Sequence, residues 1–233
     1  MPTVNWTGVR ERTIALHARR NGPADTALPP ALSETQVRRA EEQFGVEFPG
    51  DYRAYLLRVS AGGRVRTLRP GPDGWHWDGD HPADLAHLRL PFPDHDTALA
   101  ASEDVWLAEP REERYASAED FRAAHETWRE AADAAEDART HGTVRLRDDG
   151  CGFSTVLVLG GPMRGTMWFD GRATCDRLNP LLNDDGQPAG FGEWYLDWLT
   201  REEALTTPEL RRAASDRWHA GTDVPIWLRW FDS

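Results

Sequence analysis

Lysine is absent from this sequence of 233 residues, so all 27 basic residues are arginine. That absence excludes every catalytic mechanism that needs a lysine amine. Cysteine is almost absent too, because Cys151 and Cys175 are the only two, a number that suits a reducing cytoplasm rather than a disulfide framework. No apolar run is long enough to span a bilayer, and residues 1–14 carry charges where a signal peptide needs an apolar core. We therefore expect a cytoplasmic protein with no membrane partner.

Positive charge is in short supply relative to negative charge. The net charge is −12, which argues against direct binding of nucleic acid because that affinity comes from clustered cations. Hydrophobic residues make up 39% of the chain and charged residues 28%, as in an ordinary soluble globular protein. A protein partner with a basic surface fits this charge better than a polyanion does.

The N-terminal third is predicted to be helical. Residues 9–20 suit a short helix, and a loop follows. Ser33 and Gln36 then form a capping-box pattern ahead of apolar residues at helical spacing, with Gly45 placed as the C-terminal cap. A second helix, with apolar residues at i, i+3, i+4 and i+7 over 52–59, completes a helical hairpin. Residues 64–68 and 75–77 are predicted as short strands around a loop at 70–74.

Residues 94–140 differ in composition from the rest of the chain. Fourteen acidic residues face five arginines between 94 and 139, so −9 of the net charge of −12 lies there. Ser117 starts a helix-capping pattern, and small or aromatic residues recur at steps of three and four along the following segment: Phe121, Ala124, Trp128, Ala131, Ala135 and Ala138. We expect a long helix at 117–141 that packs against another helix, within an acidic helical insertion at 94–140.

The C-terminal part is predicted to begin with strands and end with helices. A strand at 143–147 precedes a β-hairpin at 148–170, whose first strand is an aliphatic run that suits burial on both faces. Aromatic and aliphatic residues at helical spacing over 191–199 predict a helix, and Pro208 sits in the first turn of a last one. The fold class is therefore α+β: an antiparallel or mixed sheet with an N-terminal helix pair and C-terminal helices.

Two groups of motifs resemble one known family. The first is Phe44-Gly45-Val46-Glu47-Phe48-Pro49 with the helix beginning at Asp51 and the glycines Gly62-Gly63. The second runs from Gly150-Cys151-Gly152 through Gly161-Pro162-Met163-Arg164-Gly165 and Trp168-Phe169-Asp170 to the helix over 191–199. In order and type these motifs, which cover roughly 33–63 and 148–199, resemble the N- and C-terminal signatures of the SUKH superfamily, the Smi/Knr cell-wall-regulator-like domains.

The resemblance implies a non-enzymatic α+β binding domain without a cofactor, spanning residues 1–233. Bacterial members are mostly immunity proteins that neutralise a cognate polymorphic toxin by direct binding, and many of these toxins are nucleases. Fungal relatives are interaction proteins. The acidic segment at 94–140 departs from the compact pattern. The binding surface is therefore expected either on this insertion or on the common sheet, and the same features also fit a regulatory scaffold with a non-toxin partner.

Three patterns in the sequence have both an enzymatic and a structural explanation. Gly160 and Gly165 have the spacing of a phosphate-binding loop, but Thr166 stands where the motif needs lysine, which favours a hairpin turn. A metal site is conceivable at His76, Asp78, Asp80 and His81, although the spacing matches no calcium or zinc signature. Cys151 is a possible nucleophile, but no histidine spacing names a base for it, so a turn cysteine is the favoured interpretation.

A charge run such as 94–140 is by default a solvated face, and the functional alternative is that it imitates nucleic acid or complements a basic toxin. An acidic surface that complements a basic toxin speeds encounter and favours the right partner. The residues predicted to be exposed and to bind the toxin are Glu112, Glu113, Glu119 and Asp120 in the insertion, with Asp78 and Asp80 outside it.

Overall fold

A computed structural model describes residues 4–21, 28–80, 85–205 and 207–220. The described residues confirm the α+β class. The helices are α1 (Val9–Asn21), α2 (Glu34–Phe44), α3 (Gly50–Arg58), α4 (His95–Leu107), α5 (Ala118–Ala138), α6 (Arg172–Cys175), α7 (Phe191–Ala204) and α8 (Pro208–His219). The strands are β1 (Leu68–Gly71), β2 (Gly74–Trp77), β3 (Thr143–Gly150), β4 (Phe153–Val158), β5 (Met167–Asp170) and β6 (Leu178–Pro180). None of the described helices has the length and apolar character needed to cross a membrane.

The predicted helical hairpin is present, with the predicted caps. The Ser33 hydroxyl accepts a hydrogen bond from the Gln36 N–H, and the Gln36 side chain accepts one from the Ser33 N–H at 2.9 Å. Gly45 ends α2 in the left-handed region at φ 67, where glycine has no Cβ to clash. These local signals confirm the start and the end of α2.

The small sheet formed by β1 and β2 differs from the predicted one. Residues 64–67 lie outside both strands, and β1 begins only at Leu68. The physical reason is that the Arg66 N–H donates to the Leu146 carbonyl at 2.7 Å, on the larger sheet, instead of joining the β1–β2 ladder. Pro70 and Gly71, predicted as loop, extend β1 instead, and the turn is confined to residues 72 and 73.

The larger sheet is antiparallel throughout, in the order β3-β4-β5-β6. Strand β4 lies between two partners and is buried on both faces, as its aliphatic run predicts. Residues 160–165 form the turn between β4 and β5, with Gly161 and Gly165 at positive φ. The hairpin-turn interpretation of this glycine pattern is confirmed.

Two clusters of apolar side chains cover the two faces of this sheet. The main core joins α1, α2, α3 and α7 to the first face, and the aromatic side of α7 is wholly buried in it, as expected for core residues. The second face carries a smaller cluster made of Phe92, Val156, Val158, Trp168 and Leu178. Phe92, just before the acidic segment 94–140, therefore packs on the face opposite the main core.

The acidic segment 94–140 contains a pair of helices, α4 and α5. Helix α5 begins after Ser117, whose hydroxyl accepts a hydrogen bond from the Asp120 N–H at 3.1 Å, as predicted. One predicted stripe position is wrong, because Ala131 is exposed and Ala132 is buried. A straight helix has 3.6 residues per turn, so its buried stripe drifts away from a 3.5-residue pattern.

Candidate functional site

Helices α4 and α5 form an antiparallel hairpin held by polar contacts between them. The Trp128 indole N–H donates to the Val105 carbonyl at 2.8 Å, and the Ser102 hydroxyl donates to the Glu136 carboxylate. The earlier residue of α4 thus meets the later residue of α5. The free end of the hairpin is therefore the end where α4 stops and α5 starts.

Arg172 fixes the base of this hairpin to the sheet. Its guanidinium donates hydrogen bonds to both carboxylate oxygens of Asp170 at 2.9 Å and to the Thr140 hydroxyl at 3.2 Å. It also donates one to the Glu136 carbonyl. Burial by itself lowers the pKa of Arg172, but the hydrogen bond and the charge of Asp170 outweigh burial and raise it. The C-terminal end of α5 is therefore held against β5 by a permanently charged group.

Arg139 lies deeper at the same base. Its side chain is 1% exposed, and its Nη1 donates to Asp176 at 2.8 Å and to Glu136 at 3.1 Å. Its Nε and Nη2 are buried without a hydrogen-bond partner among the described residues. Two carboxylates thus compensate the charge of this buried group, but its hydrogen-bonding capacity is only partly used.

The free end of the hairpin, residues 103–128, is named here the distal tip. It contains three arginines and eight acidic residues, a net charge of −5, and all eight acidic residues are exposed: Glu103, Asp104, Glu109, Glu112, Glu113, Glu119, Asp120 and Glu126. Within the described ranges no arginine lies at ion-pairing distance from any of these carboxylates, and His125 Nε2 lies 3.7 Å from the Glu109 carboxylate. The charge of the distal tip is therefore directed to solvent and not neutralised internally.

A row of rings runs through the distal tip. The ring centroids lie 5.8 Å apart for Tyr115 and Phe121, 5.7 Å for Phe121 and His125, 5.1 Å for His125 and Trp128, and 5.2 Å for Trp128 and Trp106. Edge-to-face pairs such as Trp106 and Trp128, at an interplanar angle of 82°, are favourable beyond the area they bury. The Trp106–Trp128 pair joins α4 to α5, and the Tyr115–Phe121 pair joins the connecting segment to α5.

Two apolar side chains at the end of this row are open to solvent. Trp106 is 49% exposed and Leu107 is 84% exposed, at the last two positions of α4. The composition of the segment contains the signal for them, since Val105-Trp106-Leu107 interrupts a run of acidic residues. The spacing of the stripe along α5 does not reveal them, and they are the residues that sequence reasoning missed.

The structure separates the six predicted binding residues into two places. Glu112, Glu113, Glu119 and Asp120 lie together on the distal tip and are exposed as predicted. Asp80 instead lines the same cavity as Asp137, near the far end of α5. Because 17 residues of helix separate Asp137 from Asp120, the two places are about 25 Å apart at 1.5 Å per residue. The six residues do not form one surface.

Asp80 is also not exposed, which corrects the prediction. Its carboxylate is 3% exposed, pairs with Arg66 Nη1 at 2.5 Å and accepts a hydrogen bond from the Trp77 N–H at 3.2 Å. An arginine 14 residues earlier in the chain neutralises it, which local sequence does not show. Asp78 is partly exposed and pairs with Arg69 Nε at 2.5 Å.

The residues of the enzymatic alternatives are engaged in turns and ion pairs. Asp78 and Asp80 pair with arginines, His76 Nδ1 lies 3.3 Å from the Gly74 carbonyl, and His81 lies outside the described residues. In the ranges that the structure describes, no cluster of three or more His, Cys, Asp or Glu side chains is arranged to hold a metal ion. Cys151 is an exposed turn residue between β3 and β4 at φ 53.

A cavity of about 230 Å³ lies on the second face of the sheet, beside the base of the hairpin. His87 and His141 stack in its wall with ring centroids 4.4 Å apart, and Ser154, Arg145 and Asp137 also line it. Burial and the neighbouring His87 both lower the pKa of His141. Charges of both signs line this cavity, so its chemistry does not single out a class of ligand.

No protein-family model, no curated protein and no solved structure matches this chain.

Proposed function

We propose that this protein is an immunity-type binding protein, which neutralises a basic toxin domain by stoichiometric binding and without turnover. The observation that carries the proposal is the distal tip: eight exposed and unneutralised carboxylates at the free end of a hairpin whose base is fixed to the sheet. A surface of one sign attracts a partner of the other sign and suppresses wrong partners. Residues 33–63 and 148–199 resemble SUKH domains, and this resemblance is the reason for proposing a toxin as the partner.

The rigidity of the base supports a binding role for the tip. Arg172 and Arg139 connect the end of α5 to Asp170 and Asp176, and the Gly142 N–H donates to the His87 carbonyl at 3.0 Å. A hairpin fixed in this way presents its free end in one orientation, which lowers the ordering cost of association. Asp80, held in its pair with Arg66, is left out of the proposed surface.

Charge reversal tests the proposal. Four substitutions in the distal tip, Glu112→Arg, Glu113→Arg, Glu119→Arg and Asp120→Arg, are made together, and the protein is co-expressed with a basic toxin domain identified by searching the genes that neighbour its own. Survival of the cells and co-purification of the two proteins are measured. We expect both to be lost, because the altered surface repels a basic partner.

A matched control makes the same change of charge elsewhere. Glu42, Glu47, Asp73 and Asp185 are exposed and lie outside the distal tip, and their joint replacement by arginine should leave neutralisation intact. If the tip variant still protected the cells, and circular dichroism showed that it was folded, the toxin would not be bound through this surface. If a partner without toxin activity bound the wild type and not the tip variant, the protein would be a regulatory scaffold that uses the same surface.

A further inference from the structure

The exposed apolar pair at the distal tip is held in place by its surroundings. The indole of Trp128 is fixed by its hydrogen bond to the Val105 carbonyl, and it supports Trp106 edge to face at 5.2 Å. Leu107 is the next residue and is 84% exposed. A supported tryptophan at a helix end is the type of anchor that dominates the energy of protein interfaces, and the next residue, Leu107, adds exposed apolar area to it.

The charges around the pair restrict what can cover it. Glu103, Asp104 and Glu109 lie within four residues of Trp106 in the chain and are exposed. A second copy of the chain would bring two such sets of carboxylates together, and nucleic acid or an anionic lipid surface would be repelled in the same way. The complementary occupant is a protein surface with an apolar side chain flanked by arginine or lysine.

We propose that Trp106 and Leu107 form the hot spot of the distal tip and receive an apolar side chain of a basic protein partner. This inference rests on the proposed function and adds a division of roles to it. The carboxylates steer the partner and select its charge, whereas the apolar pair determines how long it stays bound.

A peptide library makes the test independent of the identity of the partner. Random 16-residue peptides displayed on phage are selected against the wild-type protein, and the enriched peptides are synthesised and measured by surface plasmon resonance. We expect an aromatic or aliphatic residue flanked by at least two basic residues. Binding should weaken about tenfold or more in Leu107→Ala and in Trp106→Ala/Leu107→Ala, as for a hot-spot truncation.

Two controls keep the outcome interpretable. Leu210→Ala removes an exposed leucine from α8 and should leave binding unchanged. Leu107→Ala alone removes almost no buried contact, so it tests the inference even if Trp106→Ala loosens the hairpin. Peptides that bind Leu107→Ala and the double variant as tightly as the wild type would overturn the inference. So would a wild-type dimer, seen by sedimentation, that Leu107→Ala dissolves, because the pair would then be a self-interface.

The two proposals fail in different ways. If reversing the four tip carboxylates abolishes toxin neutralisation while Leu107→Ala and the double variant keep it, the proposed function stands and the hot spot is wrong. If none of these variants affects neutralisation, the distal tip is not the binding surface and both are wrong.

Discussion

At the scale of single residues, Arg139 is the most unusual side chain described. A guanidinium that is 1% exposed carries a desolvation cost, and two of its three nitrogens have no partner within the described part of the chain to offset that cost. Neither of its two carboxylate partners depends on it alone. Asp176 is 70% exposed and stays hydrated alone, and Glu136 keeps Arg172 and the Ser102 hydroxyl as partners.

These contacts predict opposite results for two substitutions of Arg139. Arg139→Met fills the same space without unpaired donors, so we expect the free energy of unfolding to change by less than about 1 kcal/mol or to rise. Arg139→Ala leaves a cavity and should cost about 2–4 kcal/mol. Urea denaturation of both variants measures the difference. A loss in Arg139→Met as large as that in Arg139→Ala would show that the ion pairs, and not the packing, hold the base of the hairpin.

The stacked histidines predict how stability depends on pH. The pKa of His141 is lowered in the folded protein by burial and by His87, so the unfolded chain binds more protons when the pH falls below about 6.5. The contribution of His141 to stability is therefore complete above that pH and is lost as the pH falls through the lowered folded value. His95, whose pKa is lowered by burial and by Arg139, acts in the same direction.

His141→Gln isolates this contribution. Thermal melting of the variant and the wild type between pH 8 and pH 5 should show the wild type losing stability relative to the variant as the pH falls, because glutamine binds no proton. A constant difference over the whole range would mean that His141 does not contribute to the pH dependence.

At the scale of elements, the junction between α5 and β3 joins the hairpin to the sheet. Gly142 lies there at φ 68, and a Cβ added to it would stand 2.2 Å from the Leu90 carbonyl oxygen, which belongs to the backbone and cannot turn aside. Gly186 has a similar φ of 71, with nothing within 4 Å of an added Cβ. Comparing alanine substitutions at these two glycines therefore separates the free-energy cost of backbone strain from that of a steric clash.

We expect Gly186→Ala to lower the free energy of unfolding by about 1–2 kcal/mol, which is the cost of a left-handed alanine. Gly142→Ala should cost more than that, because residues 90–92 must move away from the sheet as well. Chemical denaturation of the two variants provides the measurement. Equal losses in the free energy of unfolding would mean that residues 90–92 move at little cost and do not fix the hairpin.

The elements that sequence predicted well are those whose signals are local. The capping box of α2, the Ser117 cap of α5 and the aliphatic run of β4 each depend on residues within one element. The segment 94–140 was expected to be helical, but the bounds of α4 were not predicted because Ser102 is its one buried residue, so it has no apolar stripe. It is stabilised by packing against α5, and the Asp94 carboxylate, which accepts from the Thr97 N–H at 3.0 Å, was the local signal for its start.

The candidate site, like the fold, could be predicted from sequence only where the signal is local or compositional. The excess of acidic residues in 94–140 is a property of composition, and it led to four residues that are exposed on one surface. The pairing of Asp80 with Arg66 depends on how β1, β2 and β3 meet, and the exposure of Trp106 and Leu107 depends on where the two helices end. The ion pair has no signature within a few residues of sequence, and the one local sign of the apolar pair is that Val105-Trp106-Leu107 interrupts a run of acidic residues.

At the scale of the whole molecule, charge and apolar area are distributed unevenly. The main core and the two arginines at the hairpin base stabilise the fold at one end, whereas the unneutralised carboxylates and the exposed apolar pair lie at the other. Substitutions in the distal tip should therefore alter association while leaving the core packing intact. Association should then separate into two kinetic parts.

The carboxylates act at a distance and determine the association rate, and the apolar pair acts on contact and determines the dissociation rate. With a peptide selected on the wild type, raising the salt from about 0.05 M to about 0.5 M should lower the association rate constant about tenfold, because the Debye length falls below the separation of the approaching charges. Glu112→Gln, Glu113→Gln, Glu119→Gln and Asp120→Asn together should lower the association rate constant at low salt and make it depend less on salt.

Leu107→Ala should leave the association rate constant and its salt dependence almost unchanged and raise the dissociation rate constant about tenfold. Surface plasmon resonance at several salt concentrations measures both constants for each variant. A neutralised variant that kept the wild-type salt slope would place the steering charges elsewhere on this acidic protein.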